Sequence, residues 1–357
     1  MTRVTPKCPY FSQCGGCQHQ DVAYKQQLAT KKQLLKELFS EQPVTMRGQE
    51  EPYFYRNRMD FVCTPQGIGL RGDSWEDVVD VKTCVISHPR INAALKTIRS
   101  WTEQHSIPCY DLQTHEGFLR YAVIRADDNA LQVALTTNGA RYEKEIALLA
   151  DQLAADSVVW TLETTQSNQS VGDTIHRVFG SPTIALQLAG KEFLVDPYTF
   201  FQTSPRMAEQ VIARMQEYVP QGALVHDLYC GVGVLGQCVS TNVVGVESVA
   251  ASVEQARTNA AHNDVDAQYF CADAGAWLLG KNPQVVIVDP PRAGLGVGAQ
   301  QLLAAKPERI LYLSCNPKTQ RRDVVSLQQA YKIVHVEGFD FFAHTDHVEC
   351  LVVLKRR

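Results

Sequence analysis

Two rhythms of apolar and polar positions divide this 357-residue chain, and the change falls near residue 200. Between residues 50 and 200, short runs rich in β-branched and aromatic residues predict strands: RMDFVC, RYAVIRA, LQVALTT, VVWTLET and ALQLAGKEFLV. INAALKTIRSWTEQ and YEKEIALLADQLAA carry helical spacing between them. Asp128-Asn129 and Asn138-Gly139 supply turns. Ahead of this α+β region, residues 21–40 predict a helix with Tyr24, Leu28, Leu35 and Phe39 on one face and Lys25, Lys32 and Lys36 on another.

From Ser204 onward, strand and helix alternate. ALVHDLYC, NVVGVES, AQYFCAD, VVIVDPP, RILYLSC, KIVHVEGFD and VECLVVLK read as strands. PRMAEQVIARMQEYV, SVEQARTNAAHN and TQRRDVVSLQQAYK read as helices before or between them. This pattern predicts an α/β fold with a doubly wound, mostly parallel seven-stranded sheet covered on both faces. Three regions are expected: 1–50, a cysteine loop and helix; 51–200, a central α+β domain; and 201–357, the doubly wound domain. The sequence has no internal repeat and no low-complexity segment.

A hydrophobic fraction of 45% and a charged fraction of 20% exclude disorder as the main state. No apolar run approaches the roughly 18–20 residues that span a bilayer, and no signal-peptide core opens the chain. A cytoplasmic, non-membrane protein, monomeric, is expected. A formal charge of −4 excludes a strongly basic coat. Residues 1–58, however, hold nine Lys/Arg against five Asp/Glu, so this end is the one suited to phosphates. The lysine face of the first helix is either solvated or turned to RNA, and Arg56, Asn57 and Arg58 either touch RNA or flank a strand.

Open α/β sheets bind ligands at the carboxyl ends of their strands. There the first strand runs into Gly231, Gly233 and Gly236, a G-x-G-x-x-G turn suited to a dinucleotide or to S-adenosylmethionine. The second ends in Glu247, a carboxylate for ribose hydroxyls. The third ends in Asp273, which either bonds an adenine amino group or caps a helix. The fourth ends in Asp289-Pro-Pro-Arg, whose prolines stop the strand and hold Asp289 in the cleft. The fifth ends in Ser-Cys315-Asn-Pro, and Glu349 opens the last strand.

Cys315, Asp289 and Glu349 together suit one chemical problem. Carbon 5 of uracil is a poor nucleophile towards a sulfonium methyl. A thiolate adding to carbon 6 makes an enolate that is nucleophilic at carbon 5. After methyl transfer a base removes the carbon 5 proton and the thiolate is expelled. Cys315 is the candidate nucleophile and Glu349 the candidate base; a thiol is only a few per cent ionised at neutral pH yet strongly nucleophilic.

The stretches PYTFFQT, DLYCGVG, VDPPRAG, LSCNPKTQRRD and HTDHVE resemble, in this order, the RNA 5-methyluridine methyltransferases that use S-adenosylmethionine. The resemblance implies Gln202 and Tyr229 as cofactor contacts, Glu247 as the ribose acid, and Asp273 and Asp289 as further contacts. It also implies Cys315 as nucleophile and Glu349 as base. Two departures stand out: the amino-terminal β-barrel of some members is not expected here, and Ala343 replaces the proline usual before His-Thr.

Eleven cysteines in a chain expected in a reducing compartment point away from disulfides. Cys8, Cys14 and Cys17 share one Gly-containing loop, C-x5-C-x2-C, with Cys84 far along the chain. Four thiolates suit zinc or an iron–sulfur cluster; a single C-x2-C favours iron–sulfur, and four unrelated thiols is the plain alternative. The resemblance implies a 4Fe–4S cluster. Cys63, Cys109, Cys230, Cys238, Cys271 and Cys350 are expected to pack in the core. The expected activity is methylation of a uridine in structured RNA. A cluster-bearing, barrel-less member resembles those acting on 23S ribosomal RNA, with transfer RNA the alternative. An NAD-dependent oxidoreductase leaves Cys315 and Glu349 unused, and an inactive RNA-binding iron–sulfur module is at odds with their presence.

Overall fold

The computed structural model describes residues 2–357 except 75, 278, 281 and 282. A cysteine-bearing loop precedes helix α1 (Tyr24–Leu38) and a short strand, β1 (Thr45–Arg47). Leu35 and Phe39 of the expected apolar face are fully buried, and Lys25 and Lys36 are exposed. The same helix also buries Gln27 and Lys31, polar residues that periodicity alone places nowhere in particular.

The central region is a sheet of β2 (Arg58–Thr64), β3 (Gly67–Arg71), β4 (Val78–Asp80), β5 (Leu119–Ala126), β6 (Leu131–Thr137), β7 (Ser157–Leu162) and β8 (Thr174–Gly180). Its order is β4-β3-β2-β5-β6-β7-β8, antiparallel except for β6–β7, which α3 (Glu143–Leu153) connects. With α2 (Pro89–Gln104), α3 covers one face; Trp101 of α2 is fully buried and donates its indole N–H to Glu145 O at 2.8 Å. Loops cover the other face. There buried Arg120 donates to the carbonyls of Glu163 and Thr165, and buried Arg125 to those of Asp196 and Thr199. Every residue of β5 and β6 is therefore buried. The run ALQLAGKEFLV is two strands, β9 (Ile184–Leu188) and β10 (Lys191–Val195). Ala189 and Gly190 between them both have positive φ, 51° and 76°, the geometry of a two-residue hairpin turn.

The carboxyl-terminal region alternates as the pattern predicts. In order it contains α4 (Pro205–Gln216), β11 (Val225–Leu228), α5 (Val234–Val239), β12 (Asn242–Glu247), α6 (Ala250–His262), β13 (Asp266–Cys271) and β14 (Val285–Val288). There follow α7 (Gly298–Ala305), β15 (Arg309–Ser314), α8 (Pro317–Leu327), β16 (Tyr331–Phe339) and β17 (Glu349–Arg356). All seven expected strands are present, in the order β16-β17-β15-β14-β11-β12-β13. The unexpected strand β1 pairs parallel to β16 at the edge, with Thr45 opposite Glu337; three residues are too few to show alternation. β11 to β15 are mutually parallel, while β17 runs antiparallel between β15 and β16. Apolar residues of α4 and α5 cover one face of the sheet and those of α1, α7 and α8 the other, as a sheet of this kind requires.

Candidate active site

The glycine turn after β11 borders a small cavity at the carboxyl end of the sheet. Gly231 has φ 53°, and a Cβ there would meet nothing within 4 Å, so its backbone faces open space. Gly233 has φ 82° and its missing Cβ would strike Gln237 and Tyr269, so it serves the start of α5 rather than the opening. Glu247 closes β12 and accepts from the Gly231 amide at 3.2 Å and from Val249 N at 2.9 Å. Gln202, Tyr229, Gly231 and Asp289 line one small cavity together with Phe200, Phe201 and Asp227. Asp273 accepts from Gly275 N at 2.9 Å, a cap-like bond, and lies close enough to Tyr229 to help raise its pKa, after burial.

Asp227 has no role in the sequence reading, although it opens the DLYCG motif. It is 1% exposed, accepts from the Gly236 amide at 2.9 Å through Oδ2, and leaves Oδ1 buried without a partner. Burial, with Asp289 and Glu247 as lesser contributors, pushes its carboxyl up to about 7. An unpaired buried carboxylate oxygen in a ligand cavity suits a cationic group.

The reacting side follows from strand register. β15 and β17 pair with Ser314 opposite Cys350. One step further, Cys315 and Glu349 face each other across adjacent strands, on the same side of the sheet. Asp289 ends the neighbouring strand β14. The Asn-Pro turn behind the thiol is tied to the Asp-Pro-Pro-Arg loop, with Asn316 Nδ2 and Thr319 Oγ1 donating to Arg292 O at 3.0 and 3.1 Å. Burial pushes Glu349 up to about 8, Asp289 adds to the push, and Arg292 opposes it. Burial likewise raises Asp289, to about 7. The Cys315 thiol is raised by burial first, then by Glu349 and Asp289, with Arg292 again opposing. Arg292, like Asp227, lies inside a motif that the sequence reading singled out without assigning it a role.

Three comparisons bear on this geometry. Residues 274–357 match the tRNA (uracil-5-)-methyltransferase family model, and residues 206–310 a methyltransferase small domain. A tRNA (uracil(54)-C(5))-methyltransferase of Pyrococcus abyssi is 34% identical over 99% of this chain and 86% of its own length. The chain belongs to the RNA uracil-C5 methyltransferase family. An RNA methyltransferase of Listeria innocua is 30% identical, covering 99% of this chain and 85% of its own length. The crystal structure of the Pyrococcus abyssi enzyme with S-adenosyl-L-homocysteine superposes with a TM-score of 0.87 at 32% identity, over 96% of this chain and 86% of that one. This protein is thus an S-adenosylmethionine-dependent RNA uracil-C5 methyltransferase, which removes the oxidoreductase alternative. The expectation of 23S ribosomal RNA finds no support in these relatives; the transfer-RNA alternative does.

The methyltransferase's amino-terminal thiols converge. Cys8, Cys14, Cys17 and Cys84 line one cavity of about 670 Å³. No group of three or more His, Cys, Asp or Glu is arranged to hold a metal ion among the described residues. Donors nevertheless point at the sulfurs: the Gly16 amide lies 3.5 Å from Cys14 Sγ, and the amides of Ile86 and Ser87 favour the Cys84 thiolate. Gln20 accepts from the Cys8 amide at 3.1 Å. Its Nε2 is buried without a well-formed bond, yet close enough to Cys17 to favour the thiolate. Burial dominates at Cys17 and pushes its thiol up to about 12.

Two minor expectations change. Asn57 is buried, donating Nδ2 to Gln202 O at 3.2 Å and its amide to Thr203 O at 3.0 Å; it holds residues 202 and 203 from behind and is not available to RNA. Arg58 pairs with Asp60 at 2.9 Å. Cys271 is exposed rather than packed, because β13 is the sheet's outer edge; Cys63, Cys230, Cys238 and Cys350 are buried, and Cys109 is half-buried. No helix among the described residues is long and apolar enough to cross a membrane.

Proposed function

We propose that this methyltransferase modifies a uridine of transfer RNA, uridine 54 by likeness to the Pyrococcus enzymes, with Cys315 as nucleophile and Glu349 as base. The observation that carries the catalytic assignment is the opposition of Cys315 and Glu349 at paired strand ends. The Cys315 thiolate adds to carbon 6 of uracil, and the ring's electrons shift to carbon 5. S-adenosylmethionine, when bound, supplies the electrophilic methyl group that carbon 5 takes. Glu349 then removes the carbon 5 proton, the ring electrons return, and the carbon–sulfur bond breaks to release Cys315.

Gln202, Tyr229, Gly231 and Asp289 hold the cofactor in this reading. Gly233 shapes the turn, Glu247 takes the ribose hydroxyls and Asp273 the adenine amino group. The unpaired oxygen of Asp227 takes the cofactor's ammonium. We assign Cys8, Cys14, Cys17 and Cys84 to a 4Fe–4S cluster; their shared cavity, the amides aimed at sulfur and the orphaned Nε2 of Gln20 support it. The cluster would tie the 8–17 loop to residue 84 and needs no part in methyl transfer. We divide the chain into 1–50, with three of the cluster thiols; 51–200, with the fourth and the RNA-facing surface; and 201–357, with the chemistry.

Mapping 5-methyluridine in a deletion strain tests the substrate. Loss from transfer RNA is expected, and loss confined to 23S ribosomal RNA would overturn that choice. Glu349→Gln tests the chemistry. It should form a covalent protein–RNA band on a denaturing gel that needs both S-adenosylmethionine and Cys315. Turnover at the wild-type rate by Glu349→Gln or Cys315→Ala would reject the assignment.

A further inference from the structure

Residues 343–348 lead into β17 and so set where Glu349 stands. His344, within this loop, has a left-handed backbone with φ 68°, a conformation uncommon outside glycine. Such a conformation persists only where surrounding contacts hold it. Here the contacts come from the far end of the sequence. The His344 carbonyl accepts from Gln18 N at 2.8 Å and His19 N at 3.0 Å. Its amide donates to Gln27 Oε1 at 3.0 Å, and Gln27 Nε2 lies 3.2 Å from ring Nδ1. Ring Nε2 is 3.0 Å from Pro52 O. A carbonyl only accepts, so Nε2 carries the proton; Gln27 Nε2 faces Nδ1 while its two hydrogens are directed at His19 O and Val22 O, both at 2.8 Å.

Two further contacts close the arrangement. The Tyr53 ring packs 4.7 Å from the His344 ring, and His19 pairs with Asp346 at 2.7 Å. His344 is 2% exposed. The amide, the carbonyl and ring Nε2 of this residue are therefore engaged by residues 18, 19, 27 and 52. Gln18 and His19 directly follow Cys17 of the cysteine loop.

We propose that residues 18–27 form a clasp that holds loop 343–348 in the shape presenting Glu349, with His344 and Gln27 as positioning residues. The clasp thereby couples the cysteine loop to the proton-abstraction step. This rests on Glu349 being the base. A base misplaced by about 1 Å can lose on the order of a hundredfold in rate. Loosening the clasp, which leaves Glu349 present, should cost about tenfold, and selectively, because carbon 6 addition does not use Glu349.

The test is single turnover with S-adenosylmethionine and the RNA transcript, transfer or 23S ribosomal, that the wild-type enzyme methylates. Gln27→Ala and His344→Ala should form the covalent protein–RNA adduct within about threefold of the wild-type rate but break it down about tenfold more slowly. His344→Asn should recover most of the loss, since asparagine tolerates the left-handed backbone and so keeps the amide and carbonyl bonds of the clasp. Glu349→Gln is run beside them: if it traps no adduct, the base assignment has failed. If it traps adduct while Gln27→Ala and His344→Ala form and release adduct in the wild-type ratio, the clasp is overturned. Hydrogen exchange without RNA gives a second reading. In Gln27→Ala, and in Cys17→Ala, residues 343–349 should lose protection while β11 and β14 keep theirs. Unchanged protection of 343–349 in both variants would equally overturn the proposal.

Discussion

Replacing Asp227 by asparagine should make the free enzyme more stable and its cofactor binding weaker. The carboxyl, ordinarily near 3.8, is pushed up to about 7 by burial. Each pKa unit corresponds to about 1.4 kcal/mol. Keeping this group ionised at pH 8 in the ligand-free fold then costs at most ~4 kcal/mol, and about 2 kcal/mol after allowing for relaxation around a buried charge. The folded value lies above the unfolded one. The stability associated with the protonated group is therefore complete below about pH 4 and is lost as pH rises through 7. Asparagine keeps an acceptor for the Gly236 amide and carries no charge, so it escapes the loss. At roughly 1–2 °C per kcal/mol for a chain of this length, ligand-free Asp227→Asn should melt about 2–4 °C above wild type at pH 8, with the gap shrinking towards pH 4. Calorimetry should show S-adenosylmethionine binding weakened by about 1.5–3 kcal/mol, one to two decades, because the ammonium loses a charge-assisted bond. A variant that melts below wild type at pH 8, or that binds the cofactor with unchanged affinity, would refute this account.

Three further outcomes are expected. Glu247→Ala removes both the proposed ribose carboxylate and the acceptor of the Gly231 amide, and should weaken S-adenosylmethionine by about one to two decades in a titration with the folded variant. Because Glu349 is pushed up to about 8, its basic form grows with pH; the single-turnover rate of adduct breakdown should climb nearly tenfold per unit from pH 6 and level off above about 8. A flat profile over that range would exclude a buried carboxyl base. Anaerobically purified protein should be brown with about four irons per chain, and Cys84→Ala should lose the colour; stoichiometric zinc in the wild-type preparation would reject the cluster.

The parts of the site that could be read from the sequence are those that chain-breaking residues mark. Glycines after β11 and prolines beside Asp289 and Cys315 interrupt apolar runs, so the strand ends announce themselves and the side chains there become candidates. Antiparallel pairing of the last strand then brings Glu349 to Cys315, although the two are 34 residues apart in the chain. Lys31, Asp227 and His344 were not legible. Lys31 stands on an amphipathic helix with the exposed Lys25 and Lys36, and its partners, Asp340 at 2.5 Å and the Phe342 carbonyl at 3.1 Å, lie 309 and 311 residues away. Asp227 differs from any acid at a strand end only in that nothing satisfies its Oδ1. β1 has no pattern of its own and exists because β16 offers an open edge. In each case the meaning lies in a contact that no local window contains.

The position of β17 has a consequence for how the chain acquires activity during synthesis. This strand lies inside the sheet, flanked by β15 and β16, and β1 joins the same sheet through residues 337–339. On a ribosome the central antiparallel sheet can form from residues already emerged, since domains fold largely as units. The reacting sheet cannot close until residues 349–356 have emerged and residues 45–47 have waited for a partner nearly 300 positions downstream. Such long-range pairing is slow. Because Glu349 opens that same late strand, a nascent enzyme able to touch RNA would still lack its proposed base, and on that reading the modification waits until residues 349–356 have been made and paired.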